Sequence, residues 1–269
     1  MNLAAMVITL NEEANIGRTL QALDFVSHVL VIDSGSTDRT IDIVKSFSNT
    51  EIIHREFDTF ADQCNFGLMR LSSEWILSLD ADYIVPLKAK DRILKILHKN
   101  SESYDSYAFG FVYCIQGKPI RSALLPQRTC LYRRVKAHYL NIGHSHRVIV
   151  DGKSKRLREC LLHDDRKGMS CWLRNQIKYQ MSEAVMLRST SSTKLGIPDL
   201  VRKHTPFAPI SSFLLCMLKG GIFEGIAGLL YAYERLVAES ILYLYLHSDG
   251  EVKTSEGRHF KTLHTLLKS

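Results

Sequence analysis

Two short apolar runs that end in carboxylates constrain this chain more than any other feature. Val29-Leu30-Val31-Ile32 leads into Asp33-Ser34-Gly35-Ser36-Thr37-Asp38, and Trp75-Ile76-Leu77-Ser78-Leu79 leads into Asp80-Ala81-Asp82. Each run is too short for a helix and nearly unbroken by polar residues, as a buried parallel strand requires. Such a strand delivers its terminal acid to the carboxyl edge of the sheet, where open α/β sheets bind ligands. Two carboxylates flanking one small residue can grip a hard divalent cation, Mg²⁺ or Mn²⁺, and through it a diphosphate. The plainer role for strand-terminal acids is helix capping or an ion pair.

The remainder of the first hundred residues alternates in the same way. Strands are expected over 3–10, 29–32, 51–54 and 75–79, and helices over 15–23, 38–47 and 61–71. That alternation predicts parallel βαβ units, with residues 1–100 forming a nucleotide-binding half. After a helix over 93–98, alternating stretches at 107–115 and 129–133 predict a more antiparallel, acceptor-side half over 101–187. Segments 147–150 and 156–162 flank Asp151-Gly152-Lys153 and read as a hairpin, and 169–187 has helical periodicity.

The basic, Ser/Thr-rich stretch 188–204 reads as a linker. Beyond it, over 205–269, apolar runs broken by Gly220, Gly221, Gly225 and Gly228 fall short of the ~20 residues that a bilayer crossing needs. Two readings stay open for this region: an amphipathic helical hairpin lying in a membrane interface, or a helical appendage packed on the main domain.

Composition narrows the class. A chain of 269 residues, 45% of them apolar, builds a substantial core and is neither disordered nor fibrous. A net charge of +7 favours an anionic partner. The basic segments lack interleaved aromatics, and neither a helix-turn-helix nor a zinc spacing is present, so no nucleic acid is expected as a partner. Six cysteines without a Cys-x-x-Cys pair suggest a reducing compartment, and with a strand expected to begin by Leu3 no secretory leader is expected. The expected location is therefore cytoplasmic.

Three stretches, Thr9-Leu10-Asn11-Glu12-Glu13-Ala14-Asn15-Ile16, Val31-Ile32-Asp33-Ser34-Gly35-Ser36-Thr37-Asp38-Arg39-Thr40 and Leu77-Ser78-Leu79-Asp80-Ala81-Asp82, together resemble family 2 glycosyltransferases. Within that family they are most similar to the bacterial lipopolysaccharide-core β-1,4-glucosyltransferase group. The likeness is dense through residue 85 and patchier to residue 187. It implies a GT-A fold, a Rossmann-like mixed α/β sheet with flanking helices, here extended by a C-terminal helical appendage. It also implies metal-dependent inverting transfer of a hexose from a nucleoside-diphosphate sugar, UDP-glucose foremost, to a lipopolysaccharide-core or other envelope glycan. Thr9, Asn11, Glu12, Glu13 and Asp33 would line the nucleoside pocket; Gly35 and Ser36 either join them or serve only the turn and the next helix cap. Asp80, Ala81 and Asp82 would face the metal and donor sugar, with Mg²⁺ or Mn²⁺ as cofactor. Gln63 and Asn65 stand in Gln63-Cys64-Asn65-Phe66, which matches a family segment whose second residue is basic, so Cys64 implies a lost phosphate contact.

The acceptor half departs from the family pattern. Ser145-His146-Arg147-Val148-Ile149-Val150-Asp151-Gly152 aligns with a segment that usually carries His-Glu, placing His146 where the glutamate would stand. Inversion needs a base for the acceptor hydroxyl, and an imidazole can serve near neutral pH. His146 is therefore the first candidate base. Leu161-Leu162-His163-Asp164-Asp165 matches an apolar-apolar-His segment, implying that His163 contacts metal or diphosphate; Asp164 or Asp165 is the alternative base. Lys118, Arg121, Arg128, Arg133, Arg134, Lys136 and His138 either bind a phosphorylated acceptor or face solvent. Lys194, Arg202, Lys203 and His204 would meet anionic headgroups if the apolar region lies on a membrane. The expected enzyme thus touches the cytoplasmic face of the inner membrane peripherally. Two alternatives are sugar transfer to a polyprenyl phosphate and a noncatalytic nucleotide- or glycan-binding protein.

Overall fold

A computed structural model describes residues 2–98, 104–142 and 145–248. Among these residues the centre is a nine-stranded mixed sheet. The first half alternates as the apolar runs demand: β1 (Leu3–Thr9), α1 (Ile16–Gln21), β2 (Val29–Asp33), α2 (Thr40–Lys45), β3 (Thr50–His54), α3 (Phe60–Arg70) and β4 (Trp75–Asp80). All five residues of β2 and six of the seven in β1 are buried, so helices must cover both faces. Leu20, Leu23, Val31, Val44 and Leu77 share one core layer, and Met6, Ile32, Cys64, Leu68 and Ile76 share the opposite one. β3 is an edge strand, and none of its five residues is fully buried. Helix α3 starts one residue earlier than its apolar pattern because Thr59 caps it, accepting from Asp62 N at 3.1 Å.

Beyond β4 the chain forms β5 (Tyr83–Ile84), α4 (Leu87–His98), β6 (Ser106–Ile115), β7 (Lys118–Ile120), β8 (Arg128–Arg133), β9 (Ala137–Ile142), β10 (Ser145–Val150) and β11 (Ser154–His163). The main path runs β3-β2-β1-β4-β8-β6-β11-β5, with β7 on β6 and a separate β9–β10 ribbon. The hairpin expected across Asp151-Gly152-Lys153 does not form. β10 pairs antiparallel with β9, whereas β11 pairs parallel with β6. The cause is Asp105: its carboxylate accepts from Lys153 N at 3.0 Å, and its own N–H donates to Lys153 O at 2.7 Å. Gly152, at φ 134°, leaves room for that carboxylate; a Cβ there would sit 2.0 Å from Asp105 Oδ2. The three residues therefore carry the chain from one sheet to the other.

The C-terminal region is helical: α5 (Met169–Ser189), α6 (Ile197–His204), α7 (Ala208–Leu218) and α8 (Gly225–His247). The stretch read as a linker contains the end of α5, a single 3-10 turn and all of α6. What orders it is a partly buried ion cluster. Arg202 bridges Glu183 at 2.8 Å and Glu239 at 3.0 Å, and Arg235 reaches Glu239 at 2.6 Å. Three helices meet at that cluster, which local composition does not announce. Helices α7 and α8 dock on the sheet through Cys216, Tyr231 and Ala232, which pack with Ile115 and Ile120.

Gly228 lets α8 approach the turn before it, since a Cβ would lie 2.3 Å from the Gly221 carbonyl oxygen. Backbone cannot yield as a rotamer would. Gly228→Ala is expected to lower stability by about 1–3 kcal/mol despite its better helix propensity, read as a shift in the urea midpoint.

Candidate active site

Strand register places the acids. Thr9 stands opposite Asp33, and Ile8 opposite Asp80, so three parallel strands present their carboxyl ends at one edge. The two loops that leave this edge are stitched into a platform. The Asp33 carboxylate, 2% exposed, accepts from Gly35 N at 2.8 Å, Ser36 N at 2.9 Å and Ser36 Oγ at 2.5 Å. Ser36 Oγ accepts from Asn11 N at 2.8 Å, while Asn11 Oδ1 accepts from Thr37 N at 2.8 Å. Glu13 Oε2 accepts from Arg39 N at 3.0 Å, and Glu12 N donates to Thr40 Oγ1 at 2.7 Å. Asn11 and Gly35 take positive φ, 53° and 100°, to make these crossings. Thr9, Asn11, Glu12, Glu13, Asp33, Gly35 and Ser36 therefore form one structural unit.

Beside this platform, β11 ends antiparallel to β5, with His163 opposite Tyr83. That pairing sets His163 Nε2 3.0 Å from Asp82 Oδ2. Burial disfavours both charges, yet each stabilises the other: the imidazole pKa is raised and the Asp82 carboxyl, helped by Lys167, lies below the usual carboxylate range. The other oxygen, Asp82 Oδ1, is buried without a hydrogen-bond partner. An orphaned carboxylate oxygen invites a donor or a cation. Asp80 lies two residues away with its side chain 34% exposed, and Arg128 Nη1 sits 3.8 Å from Asp80 Oδ2 while donating to Tyr83 Oη at 3.1 Å. Among the described residues no three acids, histidines or cysteines converge as a ready ligand set. Asp82 Oδ1 is nevertheless an unmet oxygen donor of the type a hard divalent cation takes, with Asp80 and His163 next to it. Ala81 shapes the turn from below: it is 3% exposed, and its carbonyl accepts from Thr19 Oγ1 at 2.6 Å.

A second charge cluster closes the platform. Lys167 donates to Glu12 Oε1 at 2.5 Å, and Asn15 Nδ2 donates to Glu12 Oε2 at 2.7 Å and to Asp165 Oδ1 at 2.8 Å. Burial pushes the Glu12 carboxyl up to about 7 against the pull of Lys167. Asp164, the alternative base, is instead clamped. Arg18 Nη1 donates to its Oδ2 at 2.5 Å and Arg166 Nε to its Oδ1 at 2.8 Å, with the residue 4% exposed. Both of its oxygens are engaged by guanidiniums, so Asp164 ties the end of β11 to α1.

Other expected residues also serve elsewhere. Gln63 is 1% exposed and donates to Ser34 Oγ at 3.0 Å and Arg55 O at 2.9 Å; Asn65 exchanges bonds with Tyr139 N at 2.8 Å and O at 3.0 Å. They fasten α3 to its neighbours. Cys64, at 1% exposure, packs in the core, so position 64 is no phosphate contact at all. The basic residues of 118–138 do not form one cluster: Arg133 and Lys136 share Asp105, at 3.7 Å and 2.7 Å, away from Arg128. β8 spans about 17 Å, with Arg128 beside Asp80 at one end and Arg133 at the other, where it pairs with Glu74. His146 stands opposite Asn141 in the β9–β10 ribbon, and Asn141 bonds Thr59 Oγ1 at 2.9 Å at the start of α3. Its backbone thus lies toward the carboxyl edge; its side chain falls outside the described residues.

Three walls of the site escape reading from sequence. Tyr179 of α5 feels Asp80, Asp82 and Glu12, and burial followed by Asp80 raises its phenol. Tyr113 meets the His163 ring edge-on at 5.0 Å. Glu234 of α8 lies one turn on from Tyr231, whose ring packs on Tyr113 at 5.1 Å, and burial lifts its carboxyl to about 7. An acid inside an apolar helix is the only local signal that Glu234 carries.

A mixed sheet with flanking helices and acids at the carboxyl edge of its parallel half is the GT-A architecture, and solved structures agree. A Pyrobaculum calidifontis mannosyltransferase, PcManGT, in complex with GDP-Man and Mn²⁺, superposes with TM-score 0.53 at 13% identity, covering 92% of this chain and 88% of that one. S. aureus TarS 1-349 in complex with UDP-GlcNAc gives 0.50 at 14% identity over 91% and 90%. The family model for glycosyl transferase family 2 matches residues 5–154, more than half of the chain, and the protein belongs to that family. The Rhizobium meliloti lipopolysaccharide core biosynthesis glycosyltransferase LpsC is 29% identical over 104 residues, 37% of this chain and 38% of that protein. An uncharacterised glycosyltransferase of Rickettsia prowazekii is 28% identical over 147 residues, 53% and 50% of the two chains. The matches span half or less of those relatives.

The clamp on Asp164 makes a direct prediction. Arg18→Met leaves a buried carboxylate with one guanidinium and is expected to lower stability by about 1–3 kcal/mol, measured by urea unfolding.

Proposed function

We propose that this chain is an inverting hexosyltransferase that takes its sugar from a nucleoside diphosphate, UDP-glucose foremost, and delivers it to a lipopolysaccharide-core or other envelope glycan. The observation that carries the reading is Asp82 Oδ1, buried and unpartnered beside His163 at the end of β4 and next to the loop platform. A divalent cation taken up at Asp82 Oδ1, with Asp80 beside it, would supply Lewis-acid neutralisation of the leaving diphosphate, while His163 orients the Asp82 carboxylate through its other oxygen. Lys167 and Arg128 add fixed positive charge at the two ends of the same acidic row. The Asp33–Ser36 and Asn11–Thr37 stitching keeps the nucleoside platform rigid, so little reorganisation accompanies binding. Structures of the same fold with UDP-GlcNAc or with GDP-Man and Mn²⁺ support the donor class, and the LpsC likeness supports the acceptor.

Inversion needs a group that takes the acceptor proton during in-line attack. Two positions suit it. His146 lies on the ribbon toward the carboxyl edge, and Glu234 faces the Tyr113–His163 side. With its carboxyl near 7, Glu234 is protonated at low pH and competent as a base above that value.

The test is donor hydrolysis and transfer by the full chain over a panel of nucleotide sugars with Mn²⁺, accompanied by donor binding in a calorimeter. Wild type is expected to turn over one donor, and Asp82→Ala to lose about 10²–10³ in kcat. Neither turnover nor donor binding by wild type would overturn the reading. Turnover only with a polyprenyl phosphate would reassign the acceptor.

The pH profile separates the two bases. If Glu234 removes the proton, wild type is expected to show a rise in kcat/KM through about pH 7, which Glu234→Gln abolishes and His146→Ala keeps. The opposite pattern assigns His146.

A further inference from the structure

Helices α7 and α8 are apolar around most of their circumference, yet the structure covers only one face of each. Cys216, Tyr231 and Ala232 are buried against the sheet. On the other side Phe207, Ile210, Leu214 and Leu218 recur at helical spacing along α7 and face solvent. The stripe continues past the turn, where Leu218 is 85% exposed, Phe223 91% and Ile226 77%. Scattered apolar residues are ordinary on a surface, but a continuous stripe across two elements marks an interaction site.

The shape of this stripe limits its partner. Gly220 at φ 114° and Gly225 at φ 61° turn the chain between the helices, and nothing lies within 4 Å of a Cβ placed on either. α7 and the Gly221–His247 stretch meet at 67°, and among the described residues no single helix is long and apolar enough to cross a membrane. An elbow with an apolar outer corner lies along an interface.

Charge then selects among interfaces. Between 205 and 233 the charged residues are Lys219 and Glu224. Glu224 is turned inward, accepting from Arg121 N, from Ser122 N at 3.3 Å and from Ser122 Oγ at 2.5 Å. Lys219 is exposed at the corner and bonds Ala123 O at 3.2 Å, and exposed Lys118 and Arg121 lie on and just after β7, against which α8 packs. The rim is therefore cationic. A two-fold pair of chains built on this corner would bring like charges together, whereas anionic headgroups complement them.

We propose that the α7–α8 elbow docks on a bilayer containing anionic lipid, with Leu218, Phe223 and Ile226 entering the acyl boundary and Lys118, Arg121 and Lys219 at the headgroups. The docking stands independently of the proposed reaction. It would hold α8, which also carries Glu234, at the surface where lipid-linked acceptors reside.

Co-sedimentation of the full chain with vesicles of phosphatidylcholine, with and without phosphatidylglycerol, tests this. Wild type is expected to partition onto the phosphatidylglycerol vesicles and to be released by salt. Phe223→Ser combined with Ile226→Ser is expected to weaken partition at least about tenfold, and Lys219→Ala about fivefold. Both changes are at exposed positions, so thermal melting should not move. Failure of wild type to bind, equal binding to neutral vesicles, or unchanged binding by the Ser variant would each overturn the proposal. Concentration-dependent self-association abolished by the Ser variant, without vesicle binding, would make a second copy the occupant and likewise overturn it.

Discussion

The pairing of β11 with β5 is the constraint on which the site depends. It sets His163 against Asp82 across 81 residues of sequence and brings the Asp164-Asp165-Arg166-Lys167 segment under the first loop. Without it, Asp82 would lie in the turn after β4 without His163 as its partner. With it, two partly buried groups of opposite charge hold one another and one carboxylate oxygen is left unsatisfied. A buried pair contributes little net stability once desolvation is counted. Its value here is geometric, because it fixes where a charge can be received.

Around that pair the charged residues divide into two kinds. Arg18–Asp164–Arg166 and Glu183–Arg202–Glu239 are closed sets in which each acid is matched by guanidinium, and they join elements distant in sequence. Asp80, Asp82 and Arg128 are open: Asp80 and Arg128 keep 34% and 45% of their side chains exposed, and Asp82 keeps one oxygen without a partner. Closed sets build the scaffold, while open ones can meet a substrate.

Much of the fold of the first hundred residues is legible from local pattern. Buried strands such as Val29–Asp33 carry no polar interruption, so their boundaries and the edge at which they deliver an acid follow from period and length alone. The hairpin read across Asp151–Lys153 illustrates the limit. Turn chemistry at Gly152 is correct for a reversal, but Asp105, nearly fifty residues earlier, takes the turn's backbone and redirects the strand. The linker read over 188–204 illustrates it again, since Arg202 is surface-like until Glu183 and Glu239 are placed beside it.

By itself the sequence determines the alternation of strands and helices, the strand-terminal positions of Asp33, Asp80 and Asp82, and the family resemblance that those motifs carry. These are short-range properties, set by side-chain period and by what can end a buried strand. Only the tertiary structure decides which neighbours each group receives. It clamps Asp164, buries Gln63 and Cys64, sends Arg128 and Arg133 to opposite ends of one strand, and sets Glu234 beside Tyr113. The physical reason is that charge, burial and hydrogen bonding depend on distances in space, and strand order alone converts one into the other.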